Sequence, residues 1–65
     1  MRVLTLEARQ NKDMTLIQLS KMTGISKTTL NNIERGKVSP TLKELEAIAK
    51  ALDVKIGDLY ESDYK

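Results

Sequence analysis

The sequence predicts an all-α fold, a compact domain of five short helices containing a helix-turn-helix, on three observations. No segment alternates apolar and polar residues over five or more positions with β-branched enrichment, so strand signals are absent. Ser, Thr and Gly recur where helices start and stop. The length, 65 residues, allows one domain at most, so residues 1–65 are read as a single unit.

The elements follow in order. A first helix is expected over about residues 2–11, with Leu4 and Ala8 on one face, ending in the polar stretch Gln10-Asn11-Lys12-Asp13. Thr15 can cap the second helix, its hydroxyl accepting a backbone N–H, and Gln18 three residues on completes a capping box. That helix ends near Met22. The chain must then turn at Thr23-Gly24-Ile25, where Gly24 is able to take a positive φ without steric penalty. Ser26 caps a third helix, Lys27 to about Glu34, with Leu30 and Ile33 sharing a face, and Gly36 supplies its stop signal. After Pro40, the only proline, Thr41 caps a fourth helix with Glu44 at the capping-box position. Its stripe of Leu42, Leu45, Ile48, Ala49 and Leu52 is the cleanest amphipathic pattern in the chain. Asp53-Val54-Lys55 reads as a connector, Ile56 to about Tyr60 as a short fifth helix, and Glu61–Lys65 as a mobile tail.

Composition excludes several classes of function. With neither Cys nor His, there is no disulfide, no Cys or His ligand for a zinc finger, and no Ser-His or Cys-His nucleophile pair. Gly24, Gly36 and Gly57 are too scattered for a phosphate-cradling loop. No enzymatic constellation, metal or cofactor is expected, and no inducer domain for a small-molecule ligand. The N-terminus meets a charge before any signal-peptide core could form, and no apolar run approaches the roughly 20 residues of a membrane span. The expectation is a soluble cytoplasmic protein. Chains shorter than about 70–80 residues gain little from one hydrophobic core, and self-association is the staple left open.

The net charge of +2 is unevenly placed. Residues 1–43 hold eight bases and three acids, whereas residues 44–65 hold three bases and six acids. A basic segment with an acidic end suggests a polyanion bound on one side only, although a charged face is most often merely solvated.

Thr15 to Glu34, two short helices joined by a three-residue turn with glycine, form a helix-turn-helix. The strings Thr15-Leu16-Ile17-Gln18-Leu19-Ser20, Gly24-Ile25-Ser26-Lys27-Thr28-Thr29-Leu30, Ile33-Glu34-Arg35-Gly36-Lys37, Pro40-Thr41-Leu42 and Ala49-Lys50-Ala51-Leu52, with Leu59, resemble the lambdoid phage repressor and Cro family, also called the Xre family. The resemblance runs from about Leu4 to Tyr60. It implies a five-helix domain that binds double-stranded DNA, usually as a dimeric transcriptional repressor or regulator on a near-palindromic operator. It further implies base readers at Lys27, Thr28 and Asn32, and a structural ion pair between Arg9 and Glu34. One departure stands out. The family often has Gln at the position of Leu16, holding a phosphate or an edge base; Leu cannot hydrogen-bond, so this position meets a thymine methyl, meets nothing, or packs, and packing is the favoured reading.

The residues support the same reading independently. With Leu30 and Ile33 on the packing face, Lys27, Thr28, Asn31 and Asn32 are left to point outward. Two adjacent Asn weaken a helix, yet Asn can bond adenine N6 and N7, and Lys can reach guanine O6 and N7. Thr15 and Ser26 at helix starts, with Arg35 and Lys37 after the third helix, are candidate phosphate contacts; for Thr15 and Ser26 the plain alternative is capping alone. A single helix in one groove buries too little surface for tight specific binding, so a homodimer is expected. Its candidate interface is Val54, Ile56, Leu59 and Tyr60, of which Ile56 and Leu59 also suit closure of the core. A reading from another class is a protein-interaction module, such as an antitoxin, with secondary DNA binding. Single-stranded RNA is disfavoured because Tyr60 and Tyr64 are the only aromatics.

Overall fold

The computed structural model describes residues 1–65. Four α-helices, α1 (Thr5–Asn11), α2 (Leu16–Thr23), α3 (Lys27–Glu34) and α4 (Leu42–Leu52), are followed by a 3-10 helix (Ile56–Leu59). Two-residue strands at the ends, β1 (Arg2–Val3) and β2 (Tyr60–Glu61), pair antiparallel, Arg2 opposite Glu61 and Val3 opposite Tyr60.

The termini therefore correct the five-helix, strand-free expectation. Arg2 and Val3 are extended and lie outside α1, and the Leu4 N–H continues the pairing by donating to the Leu59 carbonyl at 2.8 Å. Two residues are too few for a period-two pattern to register in a sequence. The fifth helical segment is a 3-10 turn because it is one turn long, with Gly57 inside it, a residue that costs an α-helix about 1 kcal/mol relative to Ala. Its start is tied by the Lys55 N–H donating to Asp58 Oδ2 at 3.1 Å and the Asp58 N–H to the Lys55 carbonyl at 2.9 Å. Residues 61–65 turn back on the body instead of trailing free. Glu61 sits in the ladder, and Lys65 Nζ donates to the Tyr60 carbonyl at 3.0 Å while lying 5.5 Å from the Tyr60 ring centre.

Helix starts behave as local chemistry dictates. In both capping boxes the hydroxyl accepts the N–H three residues on, and that residue's carboxylate or amide oxygen accepts the N–H of the capping residue: Thr15 with Gln18 (3.1 and 2.8 Å) and Thr41 with Glu44 (3.0 and 2.8 Å). Helix ends use left-handed residues. Gly24 (φ 75°) and Gly36 (φ 73°) close α2 and α3, and Asp13 (φ 53°) and Asp53 (φ 56°) do the same after α1 and α4. After α1, α3 and α4 the two N–H groups at and beyond the left-handed residue turn back onto the last carbonyls, as when Gly36 donates to Ile33 and Lys37 to Asn32.

The core consists of Leu19, Leu30, Ile33, Leu45, Ile48, Ala49, Leu52 and Leu59. Half of these lie on α4, which makes that helix the spine on which the others pack. Each buried Leu or Ile contributes about 1.5–3 kcal/mol. Leu42 departs from the expected stripe: it is 77% exposed, because it opens the first turn of α4 and projects past the edge of the packed face.

Thr5 is the one buried polar residue, 1% exposed at the start of α1, and its Oγ1 has no hydrogen-bond partner. A buried hydroxyl left unpaired costs about 1–3 kcal/mol. Thr5→Val, which keeps the shape and removes the hydroxyl, is expected to raise the unfolding free energy by about 1 kcal/mol in urea titrations; a loss of stability of that size would mean that the hydroxyl is satisfied in solution.

Candidate nucleic-acid interface

The angle between α2 and α3 is set by the turn at Thr23-Gly24-Ile25. The Gly24 N–H donates to the Ser20 carbonyl at 2.9 Å. Ser20 Oγ donates to the Ile25 carbonyl at 2.6 Å, Thr23 Oγ1 donates to the Leu19 carbonyl at 2.8 Å, and the Ile25 N–H donates to Thr23 Oγ1 at 3.1 Å. Both backbone polar groups of Ile25 are thus satisfied by hydroxyls of α2. Sequence reading found the glycine and missed this lacing. The available signal was a Ser and a Thr in the last turn of a helix, where hydroxyls bond back to nearby carbonyls.

Ser26 begins α3. Its Oγ accepts the Thr29 N–H at 3.1 Å and donates to the Thr29 hydroxyl at 2.9 Å. Leu30 and Ile33 are buried, which turns the opposite face outward: Lys27 and Thr28 are exposed, and Asn31 and Asn32 are half-buried. Beyond α3, the left-handed Gly36 reverses the chain and leaves Arg35 and Lys37 exposed. Thr15 is exposed at the start of α2.

α3 is held from behind by an ion pair. Arg9 Nε donates to Glu34 Oε2 at 2.7 Å and Nη2 to Oε1 at 3.1 Å, a bidentate arrangement, while Nη1 donates to the Met14 carbonyl at 2.8 Å. The two side chains are only 14% and 6% exposed. One guanidinium thus joins α1, the α1–α2 connection and the end of α3. The Met14 carbonyl could not be read from the sequence, since any residue supplies one.

The α1–α2 connection and the starts of α2 and α3 border a surface cleft of about 610 Å³, lined by Arg9, Gln10, the segment 13–17 and Lys27. Leu16 is half-buried and packs against the core, whereas Ile17 is 53% exposed. Of the four residues read as an interface, Leu59 is fully buried in the chain's own core and presents nothing to a second copy. Val54, Ile56 and Tyr60 pack against the core and remain half-buried. No helix is long and apolar enough to cross a membrane, and no cluster of acidic side chains could hold a metal ion.

A helix-turn-helix family model matches residues 6–59, from α1 through the 3-10 helix. This chain belongs to the Xre-like helix-turn-helix family. DNA binding and transcription regulation are properties of this family, which is not in general enzymatic. The chain is similar to an HTH-type transcriptional regulator from the SPbeta prophage of Bacillus subtilis, 41% identical over 56 residues that cover 85% of this chain and 76% of the relative. It is similar to an HTH-type transcriptional regulator of Archaeoglobus fulgidus, 35% identical over 63 residues, covering 97% and 89%. The immunity repressor of Bacillus phage phi105 is 35% identical over 49 residues, which cover 75% of this chain but 34% of that repressor.

Removing one partner of a desolvated ion pair leaves the other charge unpaired, at a cost of roughly 3–5 kcal/mol. Glu34→Ala is therefore expected to lower stability by about 3 kcal/mol, and Glu46→Ala, on the exposed face of α4, by less than about 0.5 kcal/mol. Equal melting temperatures for the two variants would show that the clamp does not hold the fold.

Proposed function

We propose that this chain is a sequence-specific transcriptional regulator, in its simplest form a repressor, that binds a near-palindromic operator in the cytoplasm as a homodimer with α3 in the major groove. One observation carries the reading: α3 buries Leu30 and Ile33 and turns Lys27, Thr28, Asn31 and Asn32 outward. Those side chains suit base edges. A Lys reaches guanine O6 and N7, an Asn bonds adenine N6 and N7 in a bidentate pair, and a Thr offers both a hydroxyl and a methyl. Thr15, Ser26, Arg35 and Lys37 surround that face and suit phosphates, which fix register without reading sequence. Arg9 and Glu34 act as a structural pair that holds α3 at its angle to α1.

Dimerisation rests on size. A single small module buries about 600–1,000 Å² on DNA, and two copies with recognition helices about 34 Å apart would double that along one face of the duplex. Val54, Ile56 and Tyr60 are the candidate contacts between copies. Leu59 supports them from the core. A second reading, a protein-interaction module such as an antitoxin, draws support from Val38 and Leu42, apolar residues exposed between α3 and α4 and at the start of α4.

Selection of binding sites from randomised DNA, followed by titrations on the selected duplex, separates these readings. A palindromic site is expected. Arg35 and Lys37 of two protomers would neutralise four phosphates, so log K should fall against log salt with a slope of about −3.6 or steeper. Lys27→Ala or Asn32→Ala should cut the ratio of selected-site to random-DNA affinity by about tenfold, whereas Lys37→Ala should weaken both equally and flatten the slope. If no sequence were enriched, the interaction-module reading would replace this one. Sedimentation on the selected duplex should show two protomers per site; one protomer per site would remove the dimer.

A further inference from the structure

We propose that Lys65, folded back over Tyr60, acts as a strap that competes with a second copy of this chain for the dimer face. This rests on the homodimer proposed above, and it adds a device that sets how readily that homodimer forms.

The strap begins with a turn at Ser62. The Tyr64 N–H donates to Ser62 Oγ at 3.2 Å and the Lys65 N–H to the Ser62 carbonyl at 3.3 Å, which reverses the chain after β2. The Lys65 side chain then passes Gly57, its Cε lying 3.5 Å from where a Cβ on that glycine would stand. Its Nζ lies 5.5 Å from the Tyr60 ring centre, donates to the Tyr60 carbonyl at 3.0 Å and stands 3.8 Å from Glu61 Oε1. Tyr60 is one of the half-buried residues assigned to the contact between copies, and Gly57 adjoins another, Ile56.

The Tyr60 carbonyl has a particular place in the ladder. The Leu4 N–H donates to the Leu59 carbonyl, and Arg2 lies opposite Glu61. In an antiparallel pair bonded and unbonded positions alternate, so Leu59 and Glu61 face β1 while Tyr60 turns its N–H and carbonyl away from it. Outward backbone groups on a strand edge are those a neighbouring chain can use. Lys65 covers both that carbonyl and the ring.

Yet the strap is held only at the surface. The Lys65 and Glu61 side chains are 38% and 63% exposed, and Tyr64 is 98% exposed and anchors nothing. Exposed ionic contacts of this kind are weak, so the strap opens at small cost. A second copy that buries the Tyr60 ring cannot leave the ammonium on it, because an enclosed charge without a full set of partners is strongly disfavoured. Lys65 on Tyr60 and a second copy on Tyr60 therefore exclude each other.

The test compares the native protein with Lys65→Ala in sedimentation equilibrium. An exposed cation–π contact corresponds to about a threefold bias in an equilibrium. Two straps must open for each dimer, so Lys65→Ala should lower the dimer Kd about tenfold. Lys50→Ala, which removes the same charge from an exposed position of α4, should not lower it. On DNA, Lys65→Ala should bind the selected palindrome more tightly by a similar factor and leave affinity for an isolated half-site unchanged. In NMR spectra of dilute native protein the Lys65 ε-methylene protons should lie upfield, shifted by the Tyr60 ring, and should return to their ordinary position as the dimer forms. An unchanged or raised dimer Kd in Lys65→Ala would overturn the strap, as would an upfield shift that persists in the dimer or an equal gain on half-site and palindrome. Absence of any dimer, both free and on the selected duplex, would instead remove the homodimer on which this proposal depends.

Discussion

The bidentate contact between Arg9 and Glu34, completed by the Met14 carbonyl, is the constraint on which the geometry of this small domain depends. α3 has eight residues and buries two side chains fully, Leu30 and Ile33. Two anchors three positions apart fix one line of contact and leave rotation about that line weakly determined. The guanidinium supplies a third point at the C-terminal end of the helix, and it does so with planar, directional bonds. Because the same group holds the Met14 carbonyl, it also sets where the chain enters α2. The lacing by Ser20 and Thr23 then fixes the angle at the turn. Both helices that flank the candidate interface are thereby oriented by polar groups, while α4 supplies most of the buried apolar surface.

Buried polar interactions of this kind are weak contributors to net stability. Their use here is orientational. A domain with eight buried hydrophobic residues has little rigidity to spare, and the directional contacts of Arg9 and of the Ser20 and Thr23 hydroxyls supply it where α2 and α3 meet. The unpaired Thr5 hydroxyl and the two aspartates in left-handed conformation show the opposite tendency, sites at which the fold forgoes stability that another residue would supply.

Most of this architecture was legible in the sequence because its signals are local. Thr15 with Gln18, Ser26, Thr41 with Glu44, Gly24 and Gly36 act within four residues of themselves, and each marks a helix end that the structure contains. The ladder between β1 and β2 was not legible, because two paired residues at opposite ends of a chain leave no periodicity. Leu42 misled for a related reason: its spacing fits the α4 stripe, but exposure at a helix end depends on what stands opposite. On the outward face of α3, Lys27, Thr28, Asn31 and Asn32 could be named by subtracting the packing face of the helix from the whole. The pairing of Arg9 with Glu34 was implied by the resemblance, but the third contact of that guanidinium, to the Met14 carbonyl at 2.8 Å, was not, since a backbone carbonyl carries no sequence signal.

The pairing of β1 with β2 has a topological consequence. The two ends of the chain leave the body at the same place, so the backbone is nearly a closed ring. Closing a loop of almost the whole chain carries an entropy cost that two residue pairs cannot offset, and the ladder therefore exists only while the helical core holds the ends together. It should be the last part to zip and the first to fray. Its amide protons would report local opening at energies far below global unfolding. By the same geometry, a polypeptide joined to either end would emerge beside the other terminus, and a short linker between the two would convert the domain into a circle without disturbing the helix-turn-helix.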